Sequence, residues 1–205
     1  MSNAVPDALI SAAERLFAER GSDAVSLREI NAAAGSTNAS AIQYHFGGRR
    51  GLMRAVLDKH EVHIERRRHA MLDAYEAGGA PGPRALSAAL VEPLAAELGT
   101  DGGPGYLQLI ADLYNQPDPK FDLDAMEDRM SSYVRWRALA LPLLSPEAVR
   151  LHRRFDALRF AASELARRAR TGRRDHRLFT SQLTDLVTAL LGAPVSDETR
   201  RLLRC

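Results

Sequence analysis

Short polar and aromatic side chains are concentrated in one part of the sequence, between residues 37 and 45. Their hydroxyl, amide, imidazole and phenol groups can form hydrogen bonds with base edges and phosphate oxygens without carrying a charge. The same composition also fits a small helical hairpin whose polar residues simply face water. We consider Asn38, Ser40 and Gln43 the best candidates for base contacts within the full set of Thr37, Asn38, Ser40, Gln43, Tyr44 and His45.

The charges are unevenly distributed along the chain. Its 205 residues carry a formal net charge of only +2, which excludes a uniformly polycationic packaging protein. However, no Asp or Glu occurs from Ile30 to Leu57, whereas Arg49, Arg50 and Arg54 all lie in that window. A surface that meets phosphate would explain this window, and so would chance combined with a buried apolar stretch.

Three short helices are predicted to position the polar cluster. The 3.6-residue repeat predicts a helix over residues 6–20. Ser26 and Glu29 have the spacing of a capping box, which predicts a second helix over 26–34 that ends at Gly35. A third helix, with Thr37 or Asn38 as its cap, is predicted over 38–44. We expect these helices to share a small core of Leu16, Phe17, Leu27, Ile30, Ala33, Ile42 and Phe46.

The remaining sequence also has helical periodicity and no alternating strand pattern, so the predicted fold class is all-α. Gly47 and Gly48 separate the polar cluster from a long helix that begins at about residue 49 and runs to 77. Residues 78–83 form a linker, and the glycine-rich stretch 99–105 is predicted to be a flexible connection. Further helices are predicted over 84–98, 105–115, 123–143, 146–171, 176–191 and 197–203.

The first 57 residues resemble a known family in the order and spacing of several positions. They are Leu16-Phe17, Gly21, Ser26, Ile30, Ala34-Gly35, Tyr44-His45-Phe46, Arg49 and Leu52. Over residues 7–57 this pattern resembles the N-terminal domain of the tetracycline-repressor (TetR) family of regulators. The resemblance implies a helix-turn-helix DNA-binding domain over 1–48, whose second helix enters the major groove. It implies a ligand-binding and dimerisation domain over 49–205.

The resemblance, together with the polar cluster, leads to a predicted set of DNA-binding residues. It comprises Ser26, Arg28, Thr37, Asn38, Ser40, Gln43, Tyr44, His45 and Arg49. Gln43 stands where the family usually has a tyrosine that touches phosphate, so either the Gln43 amide or Tyr44 takes that role. Arg49 is expected to bind phosphate together with the N-terminus of the long helix, although an exposed Arg at a helix start is the alternative. His45 is equally compatible with a packing role.

The predicted ligand-binding and dimerisation domain, residues 49–205, is expected to hold a small apolar or aromatic ligand. Tyrosine and tryptophan supply both apolar surface and polar groups, but such residues also fill the cores of helical domains. The predicted lining is Tyr106, Ile110, Tyr114, Met126, Met130, Tyr133 and Trp136. Apolar stripes in 146–171 and 176–191 are expected to form core and, as the resemblance implies, a four-helix homodimer interface. A two-fold dimer would recognise an inverted repeat in double-stranded DNA.

Other kinds of site have weak sequence support. His60 and His63 lie three residues apart without a third ligand, so we expect two surface histidines and no metal site. The single cysteine, Cys205, excludes a disulfide scaffold, and no cofactor is expected. No apolar run approaches the length of a membrane span, which predicts a cytoplasmic protein without membrane partners.

The leading hypothesis is a DNA-binding transcriptional regulator, most simply a repressor that a small molecule releases from an inverted-repeat operator. The same parts could serve an activator. One alternative is a helical small-molecule-binding protein or enzyme whose head no longer binds DNA, although no catalytic motif stands out. A further alternative is non-specific nucleic-acid binding through arginine-rich helix ends.

Overall fold

A computed structural model describes residues 4–38, 40–79, 82–117 and 131–204. All regular secondary structure in these ranges is helical, as predicted. Two 3₁₀ turns, Glu97–Gly99 and Leu141–Leu143, extend helices α5 and α7. The helices are α1 (Ala4–Arg20), α2 (Leu27–Ala33), α3 (Ala41–Phe46), α4 (Arg49–Ala77), α5 (Pro83–Ala96), α6 (Gly103–Tyr114), α7 (Ser132–Ala140), α8 (Pro146–Arg150), α9 (Arg153–Ala169), α10 (Arg177–Gly192) and α11 (Asp197–Leu202).

Helices α1 to α3 form a small head, which we define as residues 4–48. Its core also includes Leu52 and Val56 from the first turns of α4 and Leu109 from α6. The head therefore shares its core with the rest of the chain, which we call the body. Of the predicted core residues, Leu16, Phe17, Ile30 and Ile42 are buried, whereas Ala33 is exposed.

The body surrounds a second hydrophobic core. Trp136 is fully buried there, and its indole N–H donates to the carbonyl oxygen of Leu86 at 2.8 Å. Helix α4 connects the two cores, because its residues from Ile64 onwards pack with the body. No helix within the described ranges is long and apolar enough to cross a membrane.

Four predicted boundaries differ from the structure. The predicted helix 123–143 lies partly outside the described residues, and its described part begins only at Ser132, because the Ser131 hydroxyl oxygen caps this end by accepting from the Tyr133 N–H at 3.3 Å. Helix α3 begins at Ala41 rather than at residue 38, because the Asn38 carboxamide oxygen accepts from the Ser40 N–H at 2.9 Å and forms a local turn instead. The predicted helix 146–171 is two helices, because His152 adopts a left-handed conformation with φ 54°. The stretch 99–105 is not a flexible connection throughout, because α6 begins at Gly103.

Candidate nucleic-acid interface

The start of α2 is fixed by the predicted capping box. The Ser26 hydroxyl oxygen accepts from the Glu29 N–H, and the Glu29 carboxylate accepts from the Ser26 N–H at 2.8 Å. Hydrogen bonds from Ser26, followed by one from Arg20, lower the pKa of Glu29 to about 2. Arg28, in the first turn of α2, projects from the surface. The capping box therefore holds α2 in place, and Ser26 and Arg28 lie exposed at its N-terminal end.

The structure brings the remaining predicted residues onto one exposed segment that consists of the turn before α3 and the outer side of α3. The most exposed is Tyr44, with 81% of its surface accessible. Its ring packs edge-on against His45, with centroids 4.9 Å apart. On the opposite side of α3, Ala41 and Ile42 are buried in the head core. The exposed set is Thr37, Asn38, Ser40, Gln43, Tyr44 and His45.

Glycines position the end of α3 against α4. Gly47 ends α3 in a left-handed conformation with φ 70°. A β-carbon at Gly51 would overlap the carbonyl oxygen of Phe46, so only glycine allows the two helices to approach this closely. The exposed side of α3 therefore has a fixed orientation relative to α4.

The structure places Arg49 differently from the expected phosphate-binding position. Its guanidinium group points into the head and donates to the backbone carbonyl oxygens of Val25, at 2.7 Å, and of Ser22. Arg49 therefore joins the start of α4 to the loop between α1 and α2. The neighbouring Arg50 is exposed, and neither it nor Arg28 forms an ion pair within the described residues. Arg50 is not in the set of DNA-binding residues predicted from the sequence, although its place in the first turn of α4, within the acid-free window, was the available signal.

The same loop is also held from the body. The carboxylate of Asp112 on α6 accepts from the Ser22 N–H at 2.6 Å, and its other oxygen accepts from the Gln108 side chain, also at 2.6 Å. The side-chain amide oxygen of Gln108 in turn accepts from the guanidinium group of Arg170, which follows α9, at 2.7 Å. A continuous set of hydrogen bonds therefore runs from the end of α9 to the loop that precedes α2.

His60 contradicts the expectation of a surface histidine. It is only 3% exposed, whereas His63 is exposed as predicted. Its Nε2 lies 2.8 Å from a carboxylate oxygen of Glu14 in α1, and its Nδ1 lies 2.6 Å from one of Glu97 in the body. The available signal was the four-residue spacing that places His60 between the apolar residues Val56 and Ile64.

The described residues of the predicted ligand site all belong to the body core. Tyr106 and Ile110 are buried on α6, and Trp136 stacks on Tyr133 with ring centroids 5.7 Å apart. Tyr114 is half-buried and meets Phe155 edge-on. Met126 and Met130 lie outside the described residues. The predicted lining residues that the structure describes therefore belong to one hydrophobic core, in which Tyr114 and Tyr133 are only partly buried.

A surface groove of about 780 Å³ lies elsewhere, between α4, α5 and the start of α10. It is open and is lined mainly by charged and hydroxyl side chains, including Arg67, Arg84 and Arg177. Arg84 is already paired there with Asp185 at 2.8 Å. The groove shares no residue with the predicted ligand site, and no group of three potential metal ligands occurs within the described ranges.

The apolar stripes of α9 and α10 are mostly buried within the protomer. Leu158 and Leu165 of α9 pack against Leu183 and Val187 of α10. Two leucines on the outer side of α10 remain, since Leu178 is 83% exposed and Leu186 is 46% exposed. They lie two turns apart and so share one face of the helix. An apolar strip on α10 is therefore left uncovered in the single chain.

Comparisons with known proteins agree with this geometry. Residues 9–56 match the family described as bacterial regulatory proteins, tetR family. The chain is 32% identical over 157 residues to an HTH-type transcriptional repressor of Mycobacterium tuberculosis. It has the same identity to an HTH-type transcriptional regulator of Mycobacterium bovis. These alignments cover 71% of this chain and 78% of each relative.

Proposed function

Because the chain belongs to the tetR family of DNA-binding transcriptional regulators, which are not enzymes, we propose that it is a repressor released from its operator by a small molecule. The observation that carries this proposal is the exposed polar segment of the turn and α3, held by a buried apolar side and a glycine contact. The relative from M. tuberculosis is named a repressor, which supports repression rather than activation. Such a protein acts on chromosomal DNA in the bacterial cytoplasm.

Base recognition is assigned to α3 and the turn before it. Helix α3 enters the major groove, where amide and hydroxyl groups of Asn38, Ser40 and Gln43 can bond base edges. Thr37, Tyr44 and His45 border this surface and contact sugars or phosphates. These side chains are exposed, so they can turn towards DNA without disturbing the head core.

Phosphate binding is assigned chiefly to the exposed cations around α3. Arg28 and Arg50 lie on the surface, with Ser26 beside Arg28, and α4 has no side-chain cap within the described residues. The free N–H groups of that first turn and the Arg50 charge both favour a phosphate. Arg49 supports this site indirectly, because it joins α4 to the loop before α2.

A homodimer is proposed to form through α9 and α10. Leu178 and Leu186 form the exposed apolar strip that a second copy would cover. A two-fold axis would present two copies of α3 about one DNA turn apart, so the operator would be an inverted repeat.

The ligand is proposed to bind in the body between α6 and α7. Half-buried Tyr114 and Tyr133 would contact it, and Tyr106, Ile110 and Trp136 are buried in the same core. These aromatic groups suit an apolar or aromatic small molecule. Binding would favour a head arrangement with lower operator affinity.

Selection from random double-stranded DNA tests the regulator. We expect enrichment of an inverted repeat, whose affinity falls steeply with salt. Arg50→Ala should reduce the slope of log affinity against log salt by about one. Exposed Arg66, which lies in the part of α4 that packs with the body, provides the control in Arg66→Ala. Failure to enrich any inverted repeat, or equal affinity for selected and scrambled DNA, would refute the proposal.

A further inference from the structure

A group of charged side chains is buried where the head meets the body. Glu14, His60 and Glu97 are each at most 3% exposed. Glu14 belongs to α1 of the head, His60 to α4, and Glu97 to the 3₁₀ turn that follows α5. The imidazole lies between the two carboxylates, and we call this arrangement the His60 bridge. In the His60 bridge, one imidazole ring contacts Glu14 of the head on one side and Glu97 of the body on the other.

The geometry favours a charged imidazole ring. A neutral imidazole has one N–H and one lone pair, so it can donate to only one of two ionised carboxylates. Here both ring nitrogens lie within 2.8 Å of carboxylate oxygens. With both nitrogens protonated, each carboxylate accepts a charge-assisted hydrogen bond.

The surrounding groups balance the charges of the bridge. Lys59 donates to both oxygens of Glu14, at 2.7 and 2.9 Å, and Thr100 donates to Glu97 at 2.7 Å. The Tyr106 ring of α6 stacks on the imidazole at 4.9 Å, and burial keeps the pKa of its phenol well above the usual range. His63, on the same helix, is exposed and makes no hydrogen bond to the bridge, and its charge lowers the pKa of Glu97 less than the contacts of His60 and Thr100 do. Two cations therefore face two anions when His60 is protonated.

Burial alone would lower the pKa of His60. The hydrogen bonds to Glu14 and Glu97 outweigh this effect and raise the pKa to about 9. The pKa of Glu97 is lowered despite its burial, because His60 and Thr100 donate to it. These directions agree with the protonation that the geometry favours.

The backbone around the bridge leaves little freedom for α1. A β-carbon at Gly105 would overlap the carbonyl oxygen of Glu14, and one at Gly102 would overlap the Glu14 carboxylate. The backbone of α1 therefore lies directly on the first turn of α6. A displacement of Glu14 would move α1 as a whole, together with α2, which packs on α1 and also contacts α3.

We propose that His60, as an imidazolium ion between Glu14 and Glu97, is a positioning residue for operator binding that sets the orientation of the head on the body. This inference rests on the proposed function, because orientation matters only if two heads must fit two half-sites at once. Loss of the charge leaves two buried carboxylates facing a ring that can satisfy only one of them. The head then has no single preferred arrangement, and operator affinity falls.

The first test follows the protonation without DNA. ¹⁵N spectra of the histidine side chains should show both ring nitrogens of His60 protonated at pH 7.5, with assignment by loss of the signal in His60→Gln. A spectrum in which His60 has one protonated nitrogen at this pH would overturn the proposal. This measurement is independent of whether the protein binds any operator.

The second test measures affinity for the selected inverted repeat between pH 7 and pH 9.5. We expect the unaltered protein to lose about tenfold in affinity across this range. His60→Gln should bind about tenfold more weakly at pH 7 and vary less with pH. His63→Gln provides the matched control, because this exposed histidine makes no hydrogen bond to the bridge, and it should follow the unaltered protein.

The two proposals fail in different ways. If the unaltered protein enriches no inverted repeat, the regulator function fails. If it enriches one and His60→Gln binds it with the same affinity and the same pH profile, the positioning role is refuted while the regulator function stands. If His60→Gln does not fold, the pH profile of the unaltered protein against His63→Gln decides, because a flat profile in both would refute the role.

Discussion

The two polar faces of the head differ in how their side chains are satisfied. The outer face, formed by the turn and α3, has exposed side chains such as Tyr44, and the exposed Arg28 and Arg50 flank it. On the inner face, against the body, Glu14 is buried and hydrogen-bonded to the buried His60 of α4. Exposed groups can exchange water for a ligand at low cost, whereas buried paired groups resist displacement. We therefore propose that polar residues of the same fold serve binding on one face and positioning on the other.

The largest effect is expected from a change on the inner face. Gly105→Ala introduces a β-carbon where the Glu14 carbonyl oxygen lies, so we expect a loss on the order of 4 kcal/mol in the free energy of unfolding. Urea denaturation measures this loss. Gly192→Ala is the control, because nothing lies close to that position and its stability should change little. Equal stability of the two variants would show that α1 and α6 are not in close contact.

The next effect is a pH dependence of stability. The pKa of His60 in the folded state is raised from the ordinary value of 6.5 to about 9, so the folded protein keeps this proton at neutral pH. Its contribution is therefore complete below about pH 6.5 and is lost as pH rises through 9, a change of about 3 kcal/mol. Unfolding experiments from pH 6 to pH 9.5 should show this decline, and His60→Gln should remove most of it. A decline of equal size in the variant would contradict the bridge.

Arg49 and its neighbour Arg50 are expected to differ in their contributions to stability and to operator binding. Arg49→Met removes the hydrogen bonds to Val25 and Ser22, so we expect a loss of about 2 kcal/mol in stability. Arg50→Met should stay within about 0.5 kcal/mol of the unaltered protein, because Arg50 is exposed, while it weakens operator binding. Thermal unfolding and a salt titration of operator affinity separate the two. The reverse order would restore Arg49 as the phosphate-binding residue.

The smallest effect on stability is expected at Tyr44. Tyr44→Ala removes a ring that is 81% exposed, so the free energy of unfolding should change by less than about 0.5 kcal/mol. Operator affinity should nevertheless fall by about tenfold, since the ring lies on the exposed side of α3. Equilibrium binding to the selected repeat measures this change. Unchanged affinity would place Tyr44 outside the interface.

Local signals in the sequence predicted much of the head correctly. The capping box of Ser26 and Glu29 formed as predicted, and α4 runs over the expected residues 49–77. Both features depend on capping residues and helix-ending glycines that lie within a few residues of each other, so their spacing in the sequence is enough to predict them. The start of α3 was wrong because the Asn38 side chain satisfies a backbone N–H in a turn, and spacing does not reveal which of the two structures wins.

Long-range contacts explain the rest of the differences. His60 follows the four-residue spacing of the buried residues of α4, but Glu14 and Glu97 are distant in sequence and nothing local links them to it. The glycines at 102–105 have a composition that suits a flexible loop, and the same lack of side chains also permits close helix packing. Only the position of α1 distinguishes these two uses. Arg49 and Arg50 likewise differ in the structure and not in residue type.

The four-residue spacing on α4 has a geometric consequence. Every fourth residue of an α-helix lies about 40° further around the axis, so the buried series Val56, His60, Ile64, Arg68 and Leu72 winds around α4. Its first members face the head, whereas Arg68 donates to the carbonyl oxygen of Ala89 and to Ser132 in the body. The one buried series of α4 therefore faces the head through His60, which meets Glu14, and the body through Arg68, which meets Ser132.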